Sequence, residues 1–253
     1  MNIFTAYNIT EGIVRINNLD NIAEINTDAY LVKGSKNAAL IDTCFSPGLY
    51  DFVRELTSLP IIVLITHGHY DHVGQSCIEF INNNIPLYMS NKDNSIPQEE
   101  FGISHRGLSF ININDKMISD LGGRSIEAFC LPGHTPGSVM FFDKENKILF
   151  SGDAIGSGPF WMQLPHSLTL SELLKGLNHL EEMVKNYYDI IVLQGHFYQS
   201  EERLRLRYIQ DVHEATKKII SGELKGEKSE APYGGLTVKY KSSKGYEYDP
   251  KRL

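Results

Sequence analysis

Two short apolar runs, IIVLI at 61–65 and DIIVL at 189–193, constrain this chain more than any other feature. A strand with one wet face alternates apolar and polar residues. An unbroken apolar run needs cover on both faces, and helices laid on a sheet supply it. Each run opens directly into a loop that carries histidine. Thr66-His67-Gly68-His69-Tyr70-Asp71-His72 follows the first, and Gln194-Gly195-His196 follows the second. Strands, a helix, an apolar strand and a His loop thus recur as a weak internal repeat, which places both loops at the same sheet edge.

The remaining elements fit an α/β chain. Ala29–Lys33 and Ala38–Asp42 read as strands joined at Gly34-Ser35. Ser46-Pro47 reads as a helix start, with Leu49, Phe52, Val53 and Leu56 on one face. Gly74–Asn82 reads as a second helix, and 91–108 as loop with a little helix. Ser125–Leu131, Val139–Phe142 and Ile148–Phe150 read as strands. Thr169-Leu170-Ser171-Glu172 is a capping box that opens another helix. Glu201–Ile220 reads as one long helix, and Leu236–Tyr240 and Tyr246–Tyr248 as closing strands. No linker rich in Pro, Gly and Ser divides the chain. The expectation is a single domain over 1–253, with a motif-bearing core at roughly 10–200 and a C-terminal helix and hairpin over 201–253.

Composition narrows the function. A chain that is 42% hydrophobic and 22% charged folds rather than staying disordered. With 24 Lys+Arg against 31 Asp+Glu, the net charge of −7 disfavours nucleic acid as a partner. No apolar run approaches the roughly 18–20 residues that cross a bilayer, and the start shows no secretory leader. Cys44, Cys77 and Cys130 are an odd number without C-x-x-C spacing, so free thiols in a reducing cytoplasm are expected. The expected partner is a small-molecule substrate, with no membrane and with a homo-oligomer left open.

The chemistry concentrates in His67, His69, Asp71 and His72, four potential ligands in six positions. Imidazole nitrogen with carboxylate oxygen suits zinc or a similar borderline metal, and four such groups over-supply one open tetrahedral ion. Two metals are therefore expected. Three further candidates lie at strand ends or tight turns: His134 in PGHTPG, Asp153 in SGD and His196 in QGH. His179 and His213 fall within helix patterns and read as surface residues. His105 carries no signal.

His67-x-His69-x-Asp71-His72, followed by His134, Asp153 and His196, resembles the full metal motif of the metallo-β-lactamase-fold hydrolase superfamily. It is most similar to the glyoxalase-II-like members. True β-lactamases of the best-known zinc subclass carry Cys where Asp153 stands. The resemblance implies a four-layer αββα sandwich and two divalent ions, zinc foremost, with iron or manganese as alternatives. It implies His67, His69 and His134 on the first metal, Asp71, His72 and His196 on the second, and Asp153 bridging both. It also implies that Asp42, ending a strand nearby, supports a ligating His.

Such a site activates a shared water toward hydroxide, with Asp71 and Asp153 as the catalytic carboxylates and Asp71 orienting the water or carrying its proton. The implied activity is hydrolysis of a small ester, thioester or lactone. A phosphodiesterase for a small nucleotide and an iron-dependent redox enzyme are the alternatives, and the intact second ligand set disfavours mononuclear iron chemistry. No basic cluster suited to the carboxylates of glutathione is recognisable. For the substrate pocket the candidates are Phe160 and Trp161 after Asp153, His166 beyond them, and Phe197 and Tyr198 beside His196.

Overall fold

The computed structural model describes residues 3–20, 25–97, 109–156, 159–200, 203–231, 233–241 and 245–253. His105, Ser157, Gly158, Glu201 and the 98–108 part of the expected loop lie outside the described residues.

A first sheet of seven strands runs in chain order: β1 (Phe4–Thr10), β2 (Ile13–Asp20), β3 (Ile25–Lys33), β4 (Ala38–Ile41), β5 (Ile61–Leu64), β6 (Leu87–Met89) and β7 (Ile111–Asn112). Its first four strands are antiparallel and the rest run parallel. Between β4 and β5 lies α1 (Leu49–Leu56), and between β5 and β6 lies α2 (Ser76–Asn82).

The second sheet has β8 (Ile118–Asp120), β9 (Ser125–Cys130), β10 (Val139–Asp143) and β11 (Ile148–Gly152) as an antiparallel meander. After β12 (Pro159–Met162) and α3 (Leu170–Val184), β13 (Ile191–Gln194) pairs parallel to β11, and a one-turn α4 (Phe197–Ser200) follows. The sheet ends at β14 (Leu204–Arg205), and α5 (Leu206–Ile220) covers it. A small third sheet joins β12 to β15 (Glu227–Lys228), β16 (Leu236–Val238) and β17 (Gly245–Tyr248) in the order β12-β17-β16-β15.

The period of two along each strand builds the layers. On β4, Ala39 and Ile41 face the second sheet while Ala38 and Leu40 face α1 and α2. On β5, Leu64 points inward while Ile61 and Val63 point outward to Leu49, Val53 and Phe80. On β10, Val139 and Phe141 meet the first sheet while Met140 and Phe142 meet α3 and α5. The result is the expected αββα sandwich, and it explains why β5 and β13 carry no polar alternation.

The capping box on α3 is present, with Thr169 Oγ1 accepting from Glu172 N and Glu172 Oε2 accepting from Thr169 N. Three helix starts differ from the sequence reading: α2 opens at Ser76 rather than Gly74, and two others shift for a visible reason. The first helix begins at Leu49 because Gly48 is left-handed, at φ 97°, and Glu79 of α2 caps it by accepting from Gly48 N and Tyr50 N. The last helix begins at Leu206, because Leu204 and Arg205 pair with β13 instead of continuing a helix. His213 is buried between α3 and α5, bonded to Asn178 and paired with Glu181, so it is no surface residue. His179 is exposed and stacks on Phe129. Among the described residues no helix is long and apolar enough to cross a membrane.

Candidate metal centre

Four chain segments bring the predicted ligands together, each leaving the end of a strand. The segment 66–72 follows β5, His134 follows β9, Asp153 follows β11 and His196 follows β13. Backbone bonds tie these ends to one another: Val139 N donates to Thr66 O, Gly195 N to Gly152 O and Asp28 N to Gly195 O. Two glycines permit the close approach. Gly152 has φ 49°, and a Cβ there would stand 2.4 Å from Thr66 Oγ1. A Cβ on Gly195 would stand 2.4 Å from His72 Cε1 and 2.6 Å from Asp153 Oδ1.

The ligand atoms form overlapping triads. In each of His67/His69/His134, His67/His72/Asp153 and Asp71/His72/His196, the donor atoms lie within 4.8 Å of one another. His69 Nδ1 is 3.0 Å from His134 Nε2. His196 Nε2 is 3.2 Å from both Asp71 Oδ2 and Asp153 Oδ2. Asp153 Oδ2 also lies 3.6 Å from His72 Nε2 and 3.9 Å from His134 Nε2, so this carboxylate stands between the outer triads.

The far side of each ring fixes its tautomer. Asp42, left-handed at φ 62°, accepts from Thr66 N at 2.8 Å and from Thr66 Oγ1 at 2.9 Å. The Thr66 hydroxyl proton is thereby committed, so Thr66 Oγ1 accepts from His67 Nδ1 at 3.0 Å. His72 Nδ1 donates to Asp42 Oδ2 at 2.9 Å, His134 Nδ1 to Trp161 O at 2.9 Å, and His196 Nδ1 to Asn26 O at 2.8 Å. Each of these four rings is left with its Nε2 facing the centre. His67 Nε2 and His72 Nε2 are buried with no hydrogen-bond partner among the described residues. Buried polar atoms are normally satisfied, so a cation among these nitrogens and carboxylates fits the site.

Electrostatics divide the centre. Burial, followed by the neighbouring imidazoles, pushes His67 well below the usual histidine range, and His69 likewise. Burial also lowers His134. Burial acts the same way on His72 and His196, but the carboxylates of Asp71 and Asp153 override it and hold both rings well above that range. Burial would raise Asp71, yet His72 and His196 hold it at about 2. Asp153 is held well below the carboxylate range against its burial by the same two rings. One side is a neutral imidazole cluster and the other a lattice of rings and carboxylates.

The pocket candidates separate. Phe160 is a correction: it is fully buried in the outer core against Tyr246, because β12 alternates and Phe160 and Met162 share its core face. Trp161 takes the other face, half-buried beside Tyr233. Tyr198 stands beside His196, its ring centroid 6.3 Å away. Phe197 lies under the Arg15 guanidinium at 4.3 Å, packed on β2 rather than over the ligands. His166 is half-buried in the turn after β12, and Ser167 of that turn donates to His134 O. Arg252 fastens this turn by donating to the carbonyls of Leu164, Pro165 and Ser167.

Two supporting carboxylates escaped the sequence reading. Asp93 is fully buried and accepts from Gly68 N, Thr135 Oγ1 and Gly137 N, clamping the 66–72 loop to the His134 turn. Asp28 accepts from Arg15, Asn17 and Phe197 N, seating the turn that carries His196.

A family model described as the metallo-beta-lactamase superfamily matches residues 23–196, which include every one of these ligands. The chain belongs to the metallo-beta-lactamase superfamily. Among similar superfamily proteins is the hydroxyacylglutathione hydrolase GloC of Haemophilus influenzae, 28% identical over 180 residues, covering 64% of this chain and 80% of that protein. The acyl-coenzyme A thioesterase MBLAC2 of Bos taurus is 35% identical over 204 residues, covering 66% and 72% respectively. The solved metallo-beta-lactamase from Pontibacter korlensis has the same fold, with a TM-score of 0.68 at 15% identity, covering 85% of this chain and 99% of that one. Membership makes this a hydrolase-family chain whose His and Asp clusters suit divalent metal.

Proposed function

We propose that the chain is a zinc-dependent hydrolase of small thioesters, with esters and lactones as related substrates. The observation that carries this reading is Asp153 standing between two nitrogen-rich triads whose buried Nε2 atoms on His67 and His72 lack hydrogen-bond partners among the described residues. His67 Nε2, His69 Nδ1 and His134 Nε2 would hold one ion. Asp71, His72 Nε2 and His196 Nε2 would hold the other, with Asp153 shared. Nitrogen and oxygen donors without sulfur suit zinc. When bound, two such cations supply Lewis acidity and a hydroxide nucleophile at neutral pH.

The protein's own groups do the rest. Asp42, Trp161 O and Asn26 O hold the rings in one tautomer and orientation. Asp71, whose Oδ2 stands 3.2 Å from His196 Nε2, would orient the attacking water and pass its proton toward the departing thiolate. Two of the similar proteins are named for thioester substrates, which supports a thioester ahead of a lactone.

Elemental analysis with a substrate panel tests this reading. About two zinc per chain and turnover of acyl thioesters are expected. Iron as the bound metal, or turnover of bis-nitrophenyl phosphate alone, would replace it with the redox or the phosphodiesterase reading.

A further inference from the structure

Trp161 Nε1 and Gln163 Oε1 are buried, lack hydrogen-bond partners among the described residues, and share one corner of the molecule. Phe160 and Met162 point into the outer core, so Trp161 takes the opposite face of the small third sheet. Glu247 pairs across from Trp161 on β17 and shares that face. Gln163 follows the last residue of β12 and turns to the same side, where its Nε2 donates to Glu247 Oε2 at 2.6 Å. Ser229 Oγ donates to the same oxygen at 2.9 Å. The carboxamide is thereby oriented, with Nε2 committed and Oε1 left over. Gln163 is only 6% exposed, and a buried polar atom without a partner is costly.

This corner adjoins the metal centre. Trp161 O accepts from His134 Nδ1 at 2.9 Å, and Ser167, in the turn after Gln163, donates to His134 O. Its outer side reaches the surface, where the half-buried Trp161 ring meets the exposed ring of Tyr233. Gly235 is left-handed at φ 97°, and a Cβ there would stand 2.6 Å from Tyr248 O and 3.3 Å from Gln163 Cβ. Glycine at this position lets the segment that Ser229 N and Gly235 O close lie directly against Gln163. Ser229, Tyr233, Gly235 and Glu247 all come after residue 196, the last that the superfamily match covers.

One N–H donor and one C=O acceptor, both unpaired on one face, complement a secondary amide, whose C=O accepts and whose N–H donates. We propose that Trp161 and Gln163 bind an amide in the thiol half of the substrate. Trp161 Nε1 donates to the amide oxygen, and Gln163 Oε1 accepts from the amide N–H. The substrate class, resting on the thioester-hydrolase reading above, becomes acyl thioesters of thiols that carry an amide a few bonds from sulfur. A pocket with buried polar groups waiting for a partner selects against an analogue that lacks it.

The chain has a single tryptophan, so its fluorescence reports this corner alone. The probes are N-acetyl-S-methylcysteamine, which carries the amide and no thioester, and an alkyl methyl thioether of the same length without the amide. A saturable shift in Trp161 emission is expected with the first and not with the second. No shift with the amide probe would leave a buried water as the bridge and overturn the proposal, and equal shifts with both probes would overturn it too. In turnover, the acyl thioester of N-acetylcysteamine is expected to exceed that of the matching alkanethiol by about 10- to 100-fold in kcat/KM. Trp161→Phe keeps the carbonyl that holds His134, so it should retain its metal while that preference falls about 10-fold. A wild type without the preference, or a Trp161→Phe variant that keeps all of it, would overturn the proposal. Should Trp161→Phe fail to fold, the wild-type emission and turnover ratio decide. A wild type that shows the emission shift yet hydrolyses no thioester would keep the amide site and remove the hydrolase reading instead.

Discussion

The two His-bearing turns, 66–72 after β5 and 194–197 after β13, solve the same problem with different supports. In the first, a buried carboxylate reaches the ligand itself: Asp42 accepts from His72 Nδ1 and, through Thr66, orders His67. In the second, the buried Asp28 holds only the backbone of Phe197, and His196 leans on the carbonyl of Asn26. The first turn supplies four of the seven ligands, and Asp42 braces two of its rings, His72 directly and His67 through Thr66. The second supplies one ring, braced by neutral backbone. Support of an imidazole by a carboxylate raises its basicity, whereas a carbonyl mainly fixes its orientation.

The largest contrast is expected in metal content. His67→Ala should abolish turnover and strip metal, because His67 belongs to two of the three triads. His196→Ala should leave the His67/His69/His134 group intact and retain about one ion per chain, while His179→Ala should match wild type. Elemental analysis reads all three, and equal loss from His67→Ala and His179→Ala would break the ligand assignment. Next comes the comparison of supports. Asp42→Asn is expected to weaken metal affinity about 10- to 100-fold in chelator competition. Asp28→Asn should leave that affinity within a few-fold and instead cost about 1–3 kcal/mol of stability in denaturant titration. Equal effects on metal affinity would erase the distinction between the turns. The smallest effect belongs to Tyr30→Phe, which loses the bond to Gln194 O beneath the second turn: about 1 kcal/mol of stability, with metal content unchanged.

Legibility in the sequence follows the range of each interaction. The apolar runs, the Thr169 capping box and the dense His67–His72 segment are local patterns, and the structure places them as read. Asp42 is readable because it ends a strand beside the site. Asp93 and Asp28 are not, since a lone Asp shows nothing of its burial and Asp93 finds two of its partners more than 40 residues later. Phe160 differs for another reason. Its segment reads as a loop, yet β12 is a strand paired with β17, and strand alternation sends Phe160 inward and Trp161 the other way. The start of α1 is hidden because its cap comes from Glu79, 31 residues downstream of Gly48.

The clasp made by Arg252 orders events during synthesis. The turn it fastens is the one whose Ser167 hydroxyl bonds His134 O, and its guanidinium reaches back 85 positions to do so. Every ligand is therefore made well before the latch that steadies one of them. Until Arg252 is made and folds back, the turn beneath His134 lacks the three carbonyl hydrogen bonds that fasten it, so this corner of the site tightens last.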